Sequence, residues 1–287
     1  MSIFEMVKYH NQIYPTDISL RLEECAANFD ITSIESDLEI SLHTEYSYGK
    51  RKMNSEIISR FPTIVMSQKA GIPQLWKSEQ WTQEFADFIF SLAGQMIPKV
   101  IEVHPPFTDY CTFDDFFQNY RIFEERIFEK YSNVEILIEN RCGSVYHGGK
   151  FLVSQNKDVE RLCDGIVQHH LCLKVAYDIP QIYTAHHVKK PEKYIELLLQ
   201  AEAFRQHIGG VHLWGKRISA KGRKVAHCGD LNSYFIETPE VKKAFLRQFA
   251  TTFDDSVVRK MVLEVNSGND DLLSIVSDLR KNDIQFL

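Results

Sequence analysis

Nothing in this 287-residue sequence marks a membrane span, a secretory route or a zinc finger. No run approaches the roughly 20 consecutive apolar residues that cross a bilayer. The opening stretch MSIFEMVKYHNQ lacks the basic start, sustained apolar core and small-residue cleavage site of a signal peptide, so the expected location is cytoplasmic. The six cysteines (Cys25, Cys111, Cys142, Cys163, Cys172, Cys228) contain no CxxC pair, which fits reduced structural thiols. Positive charge is also short: 33 Lys and Arg against 39 Asp and Glu leave a net charge of −6, with no general attraction for nucleic acid or an anionic membrane. Neither is an expected partner. No Pro-rich linker, low-complexity tract or composition break marks a boundary, so residues 1–287 read as a single globular domain, 44% hydrophobic and 25% charged.

What is present is a recurring unit. Short β-branched runs alternate with longer segments of helical spacing, the pattern of parallel βα units. Strands are expected over 3–8, 33–41, 63–67, 99–104, 134–139, 171–178, 209–213 and 260–265. The segments SLRLEECAANF, WTQEFADFIFSLAGQM, FDDFFQNYRIFEERIFEKY, VERLCDGIVQHH, PEKYIELLLQAEAFRQH, PEVKKAFLRQFATTF and DLLSIVSDLRKND are expected helices. Asp114 or Thr112 caps the third of these and Thr238 the sixth, where Pro239 suits the first helical position. Eight units of about 36 residues match an α/β fold of the single (β/α)8 TIM barrel type. A doubly wound open sheet is the competitor, weakened by the absence of GxGxxG and GxxxxGK[ST] loops.

In such a barrel the C-terminal strand ends converge on the active face. The expected ends carry His104 in KVIEVHPP, Glu139 in EILIEN, Asp178 in CLKVAYD, His212 in GGVHLW and Glu264 in MVLEVN. Oxygen and nitrogen donors without sulfur suit a catalytic divalent metal such as Mn²⁺, Mg²⁺ or Zn²⁺.

The motifs VHPP, LIENR, VAYDIPQ, GGVHLWGKR, HCGDLN and VLEVN resemble the strand ends of the xylose isomerase-like barrel superfamily, which includes sugar phosphate isomerases and epimerases and nucleases of the endonuclease IV type. The phrase FDITSIES is similar to the second-strand segment of that family. The resemblance implies one divalent metal held by Glu139, Asp178, His212 and Glu264. It also implies proton transfer by Glu139 and Glu264 at a carbon beside a metal-polarised carbonyl. The substrate implied is a small carbohydrate, sugar phosphate or polyol.

The chain departs from the family at Gln181, where members often place His, at Ser67 or Gln68 in place of a third-strand His, and at Val225 in place of an Asp. With the acidic net charge, these departures favour carbohydrate chemistry over an endonuclease IV-like phosphodiester hydrolase; the His missing at Gln181 leaves a non-catalytic metabolite-binding barrel as a further alternative, against which the retention of both Glu139 and Glu264 argues. His104, Gln181, Trp214, Arg217 and His227 are substrate-binding candidates, and His104 or His227 is also open to a second metal. His43, His186 and His187 carry less support. Arg141 is expected to pair with a carboxylate and hold Glu139. The stretch WGKRISAKGRKVAHCGD, with Gly215, Gly222 and five basic residues, reads as a lid or as a solvated loop. Oligomeric assembly is left open.

Overall fold

The computed structural model describes residues 2–9, 11–26, 37–44, 55–69, 73–143, 149–236 and 238–287. Strands β1 (Ser2–Tyr9), β2 (Leu22–Ala26), β3 (Glu39–His43), β4 (Val100–Val103), β5 (Glu135–Glu139), β6 (Lys174–Asp178) and β7 (Ile208–Leu213) pair in chain order, each parallel to the next. Two short strands, β8 (Lys216–Ile218) and β9 (Lys224–Ala226), form a separate antiparallel hairpin. Then β10 (Val258–Leu263) pairs with both β7 and β1 and closes an eight-stranded barrel. The terminal β11 (Ile284–Phe286) lies parallel to the start of β1. The fold is the expected (β/α)8 barrel.

Alternation along each strand divides the apolar residues into two layers. Val7, Leu22, Val100, Leu137, Ala176 and Val262 meet inside the barrel. Ile101, Val103, Ile136, Ile138, Val175 and Tyr177 join a much larger cluster shared with the surrounding helices. That outer layer is rich in aromatic rings. Trp76 meets Trp81, Phe85, Phe116 and Phe123 with centroids 5.2 to 5.6 Å apart, and its indole N–H donates to the His104 carbonyl at 2.7 Å. A buried aromatic cluster therefore fixes the chain where β4 reaches the mouth.

Two expected elements are corrected. Residues 63–67 were expected as a strand, but they lie in the helix Pro62–Lys69. Pro62 is pre-set for the first helical position, and the Glu84 carboxylate accepts from the Thr63 and Ile64 amides, so the first turn is capped from a neighbouring helix. Ser67 is consequently buried under the Trp81 indole, which donates to its hydroxyl at 3.1 Å. SLRLEECAANF was expected as a helix, but it contains β2. Its ladders to β1 and β3 turn Leu22 into the barrel and Cys25 out to the helix layer, a period of two that overrides the helical propensity of Glu23 and Glu24. The expected strand at 33–41 appears as β3, two residues later at its end; residues 33–36 and FDITSIES lie outside the described residues.

The expected helices otherwise form. Thr112, not Asp114, caps Phe113–Lys130 through a reciprocal capping box with Asp115. Thr238 is the N-cap residue of Pro239–Thr252, without a side-chain capping bond.

Candidate metal and proton-transfer site

The interior of the barrel changes character within one step of the pleat. Two residues beyond Leu22, Val100, Leu137, Ala176 and Val262 come Glu24, Glu102, Glu139, Asp178 and Glu264. The same step on β3 and β7 leads to His43 and His212. Because side chains repeat every second residue, a dry floor is followed at once by a polar layer. A further step on β4, β5 and β7 reaches His104, Arg141 and Trp214 at the rim.

This layer is almost wholly buried. Asp178 and His212 are fully buried, Glu139 is 1% exposed, and Glu24, Glu102 and Glu264 are 6%, 3% and 5% exposed. Burying carboxylates is costly unless they are paired, and the pairing here is dense. Glu139 presents both oxygens to Arg141 Nη1 at 2.7 and 2.6 Å and meets His104 Nε2 at 2.8 Å. His43 Nε2 stands 3.2 Å from Glu102 and 3.5 Å from Glu139, with its Nδ1 3.4 Å from Glu24. Glu102 also meets His212 Nε2 at 3.1 Å. Glu264 lies 3.3 Å from His212 Nδ1 and 3.1 Å from His227 Nδ1.

Asp178 is held differently. Its oxygens accept from the Trp214 indole at 3.0 Å and the Gln181 amide at 2.8 Å, while Asn140 bonds its backbone on both sides at 3.0 Å. It thereby caps the helix Ile179–Ala185.

The titration tendencies show an excess of carboxylate over cation. Burial, with Glu139 and Glu264 nearby, raises Asp178 well above the usual range. Burial also raises Glu24 to about 8 against the pull of His43. For the other acids burial is outweighed: His212 and His43 lower Glu102 to about 2, His227 and His212 lower Glu264, and Arg141 holds Glu139 well below the ordinary value. Burial disfavours charge on His43 and His212, yet Glu102 raises both well above normal. On His104 burial prevails and its pKa falls.

These residues fit a divalent cation. The donor atoms of Asp178, His212 and Glu264 lie within 4.8 Å of one another. His212 Nδ1 is buried without a hydrogen-bond partner and sits 3.3 Å from a Glu264 oxygen. Two donors bound to one ion at about 2.1 Å are typically about 3 Å apart. With a cation in place of the Nδ1 proton, the Glu102 carboxylate on Nε2 would hold the neutral ring in the outer arrangement usual for a metal-binding histidine. Glu139 groups instead with Glu102 and His212, and with His43 and His104, each set also within 4.8 Å.

The rim candidates fall in different places. His227 stacks on Trp214 at 4.3 Å and meets Glu264 at 3.1 Å, so it joins the centre. Trp214 is buried and directed at Asp178, and Gln181 reaches the same carboxylate through its backbone N–H. Arg217 is not brought in: its guanidinium binds Asp271 at 2.6 Å on the outside. His186 accepts from the Asn156 amide away from the centre, and His187 is exposed.

The stretch expected as a lid is the β8–β9 hairpin. Gly215 and Gly229 close its base, where a Cβ on Gly215 would stand 2.2 Å from the Gly229 carbonyl oxygen. Gly215 therefore permits the close backbone approach to Gly229. Glu24 and Glu102 were missed: Glu102 was legible as the inward position two residues before His104, whereas Glu24 was hidden by the helical reading of its strand.

No protein-family model matches the chain, and no curated protein matches it either. Solved structures do. A D-tagatose 3-epimerase-like protein superposes with a TM-score of 0.52 at 13% identity, covering 97% of this chain and 96% of that one. The AP endonuclease, family 2, from Brucella melitensis gives 0.54 at 10% identity over 96% and 98%. What these superpositions share with the chain is the (β/α)8 TIM barrel fold. A xylose isomerase-like TIM barrel/4-hydroxyphenylpyruvate dioxygenase fusion protein aligns with 96% of this chain and 42% of its own length, at TM-score 0.55 and 11% identity. Identities this low show a shared (β/α)8 barrel fold, and chemistry must be argued from the site. Among the described residues, no helix of this barrel is long and apolar enough to cross a membrane.

Proposed function

We infer that the protein is a divalent-metal-dependent isomerase or epimerase acting on a small sugar, sugar phosphate or polyol. The observation that carries this reading is the buried group Asp178, His212 and Glu264, with the clamped Glu139 beside His212. Bound by that group, Mn²⁺, Mg²⁺ or Zn²⁺ would supply the Lewis acidity that makes a proton beside a carbonyl removable.

The chain's own residues divide the remaining work. Glu264 is kept ionised by His227 and His212, the form that accepts a proton, and its His227 partner is 30% exposed on the rim side. It serves as the base and, once protonated, as the conjugate acid. Glu139 is also ionised, but both oxygens face Arg141. It holds negative charge in place and is the weaker proton acceptor of the two. Trp214 and Gln181 fix the orientation of Asp178, and Glu102 fixes the His212 ring.

A second reading, phosphodiester hydrolysis at more than one metal ion, draws on the His43, His104 and Glu139 group. Arg141 already provides a cation to Glu139 there, which favours the single-ion reading. Metal analysis and a screen of ketoses, aldoses and their phosphates separate the cases. One ion per chain and solvent-deuterium exchange at the carbon beside the carbonyl are expected, with exchange lost in metal-retaining Glu264→Gln. Two or more ions with cleavage of an abasic duplex would establish the hydrolase, and binding without exchange would leave a non-catalytic barrel.

A further inference from the structure

Outside the barrel mouth lies a cavity of about 350 Å³ that the proposed chemistry does not use. It is bounded by the segment around Thr184 and Lys189, by the β8–β9 hairpin with Lys216 and Lys224, and by Tyr234 and Thr238. Its described lining contains the cationic side chains Lys189, Lys216, Arg217 and Lys224 and no carboxylate, in a chain of net charge −6. Arg217 is neutralised by Asp271, which lies outside the lining. The three lysines make no ion pair with a described residue.

Like charges gathered around a void repel unless an anion enters it. Lys216 is half-buried, with Nζ 3.4 Å from the Thr184 hydroxyl and 5.1 Å above the Tyr234 ring. Burial and the neighbouring Lys224 lower its pKa, and the more distant Asp178 offsets them only in part. Two helices, Pro191–Gln200 and Pro239–Thr252, start at the wall, and neither N-cap residue makes a side-chain capping bond. Pro191 and Pro239 carry no N–H and each is followed by a glutamate, Glu192 or Glu240, so the positive potential at this cavity comes from the lysines and not from the helix ends.

We propose that this cavity binds the phosphate group of a phosphate monoester, held by Lys216 and Lys224 of the hairpin together with Lys189 and the Thr184 hydroxyl. A dianion suits several lysines around one void better than a single carboxylate does. The hairpin also links this cavity to the centre: Trp214, which donates to Asp178, lies two residues before β8, and His227, which meets Glu264, directly follows β9. The phosphate belongs either to the substrate or to a separate small molecule. The first case rests on the proposed isomerase reading; binding itself does not.

The test is titration of inorganic phosphate into chelator-treated, metal-free protein, followed by calorimetry and backbone-amide NMR. Saturable binding is expected, weaker at high salt, with shifts at Thr184 and Lys216. Lys216→Ala and Lys224→Ala should each weaken it roughly tenfold, and Lys281→Ala, outside this cavity, should not. If Lys216→Ala fails to fold, Lys224→Ala and Lys189→Ala, at exposed positions, carry the test. Absence of saturable binding, or equal binding by a folded Lys189→Ala/Lys224→Ala protein, overturns the proposal. With metal restored, a KM increase in Lys224→Ala confined to phosphorylated sugars assigns the phosphate to the substrate, and phosphate that alters turnover without competing assigns it to a separate ligand. A chain that turns over no sugar yet binds phosphate refutes the isomerase reading alone.

Discussion

Arg141→Met tests whether the centre is held together by compensation of buried charge. The guanidinium meets both Glu139 oxygens at 2.7 and 2.6 Å, with side chains 13% and 1% exposed. Breaking such a pair from one side typically costs about 3–5 kcal/mol, because a buried carboxylate is left behind. Glu139 keeps His104 at 2.8 Å and His43 at 3.5 Å, which places the expectation at the lower end, about 3 kcal/mol. For a chain of this size that is a fall in Tm of roughly 5 °C. Met retains an apolar stem beside Phe151, over whose ring the guanidinium lies at 5.8 Å, so lost packing is a minor part.

The pH dependence supplies the sign. The folded-state pKa of Glu139 is depressed below its ordinary 4.5, so its pairing stabilises the protein above that value, and the contribution is lost as pH falls through the lower folded value. Without Arg141 the folded pKa rises and this contribution shrinks. Urea unfolding of the metal-free proteins should therefore show the full difference at pH 7, narrowing as the pH falls toward and below about 4.5. Equal stability at pH 7, or a difference independent of pH, would refute the argument.

Other perturbations address single contacts. Trp214→Phe keeps a ring beside His227 but removes the 3.0 Å bond to Asp178; divalent-metal affinity measured by calorimetry should fall about tenfold, and an unchanged affinity would exclude a positioning role. Gly215→Ala places a methyl 2.2 Å from the Gly229 carbonyl oxygen, so Tm should drop and amide exchange at Cys228, whose N–H reaches the Gly215 carbonyl at 3.3 Å, should accelerate. Gly222→Ala at the hairpin tip meets nothing within 4 Å and costs only the strain of φ +71°, about 1 kcal/mol; a loss equal to that of Gly215→Ala would contradict the close-approach explanation.

The second half of the chain was legible because its local signals agree with its fold. EILIE, KVAYD and MVLE are short apolar runs that end in an acid, and the helices between them carry apolar stripes and caps such as Thr112. The first third was not, because there the ladder partners decide. Glu23 and Glu24 suit a helix in isolation, and only pairing with β1 and β3 makes them strand residues. TIV in 63–65 suits a strand, and only the Glu84 cap and Pro62 make it helical.

The site divides along the same line. The order of donor residues along the chain, from His104 through Glu139, Asp178 and His212 to Glu264, is a property of the sequence, since a period of two and the end of each apolar run can be read locally. Which nitrogen of His212 is engaged by Glu102, that Arg141 grips Glu139, that Arg217 turns away to Asp271, and that three lysines share a cavity were decided only by the closed barrel and its packing. Those relations are distances between side chains dozens of residues apart. Ladder register, barrel closure and side-chain packing set them together, and no local stretch of sequence contains that information.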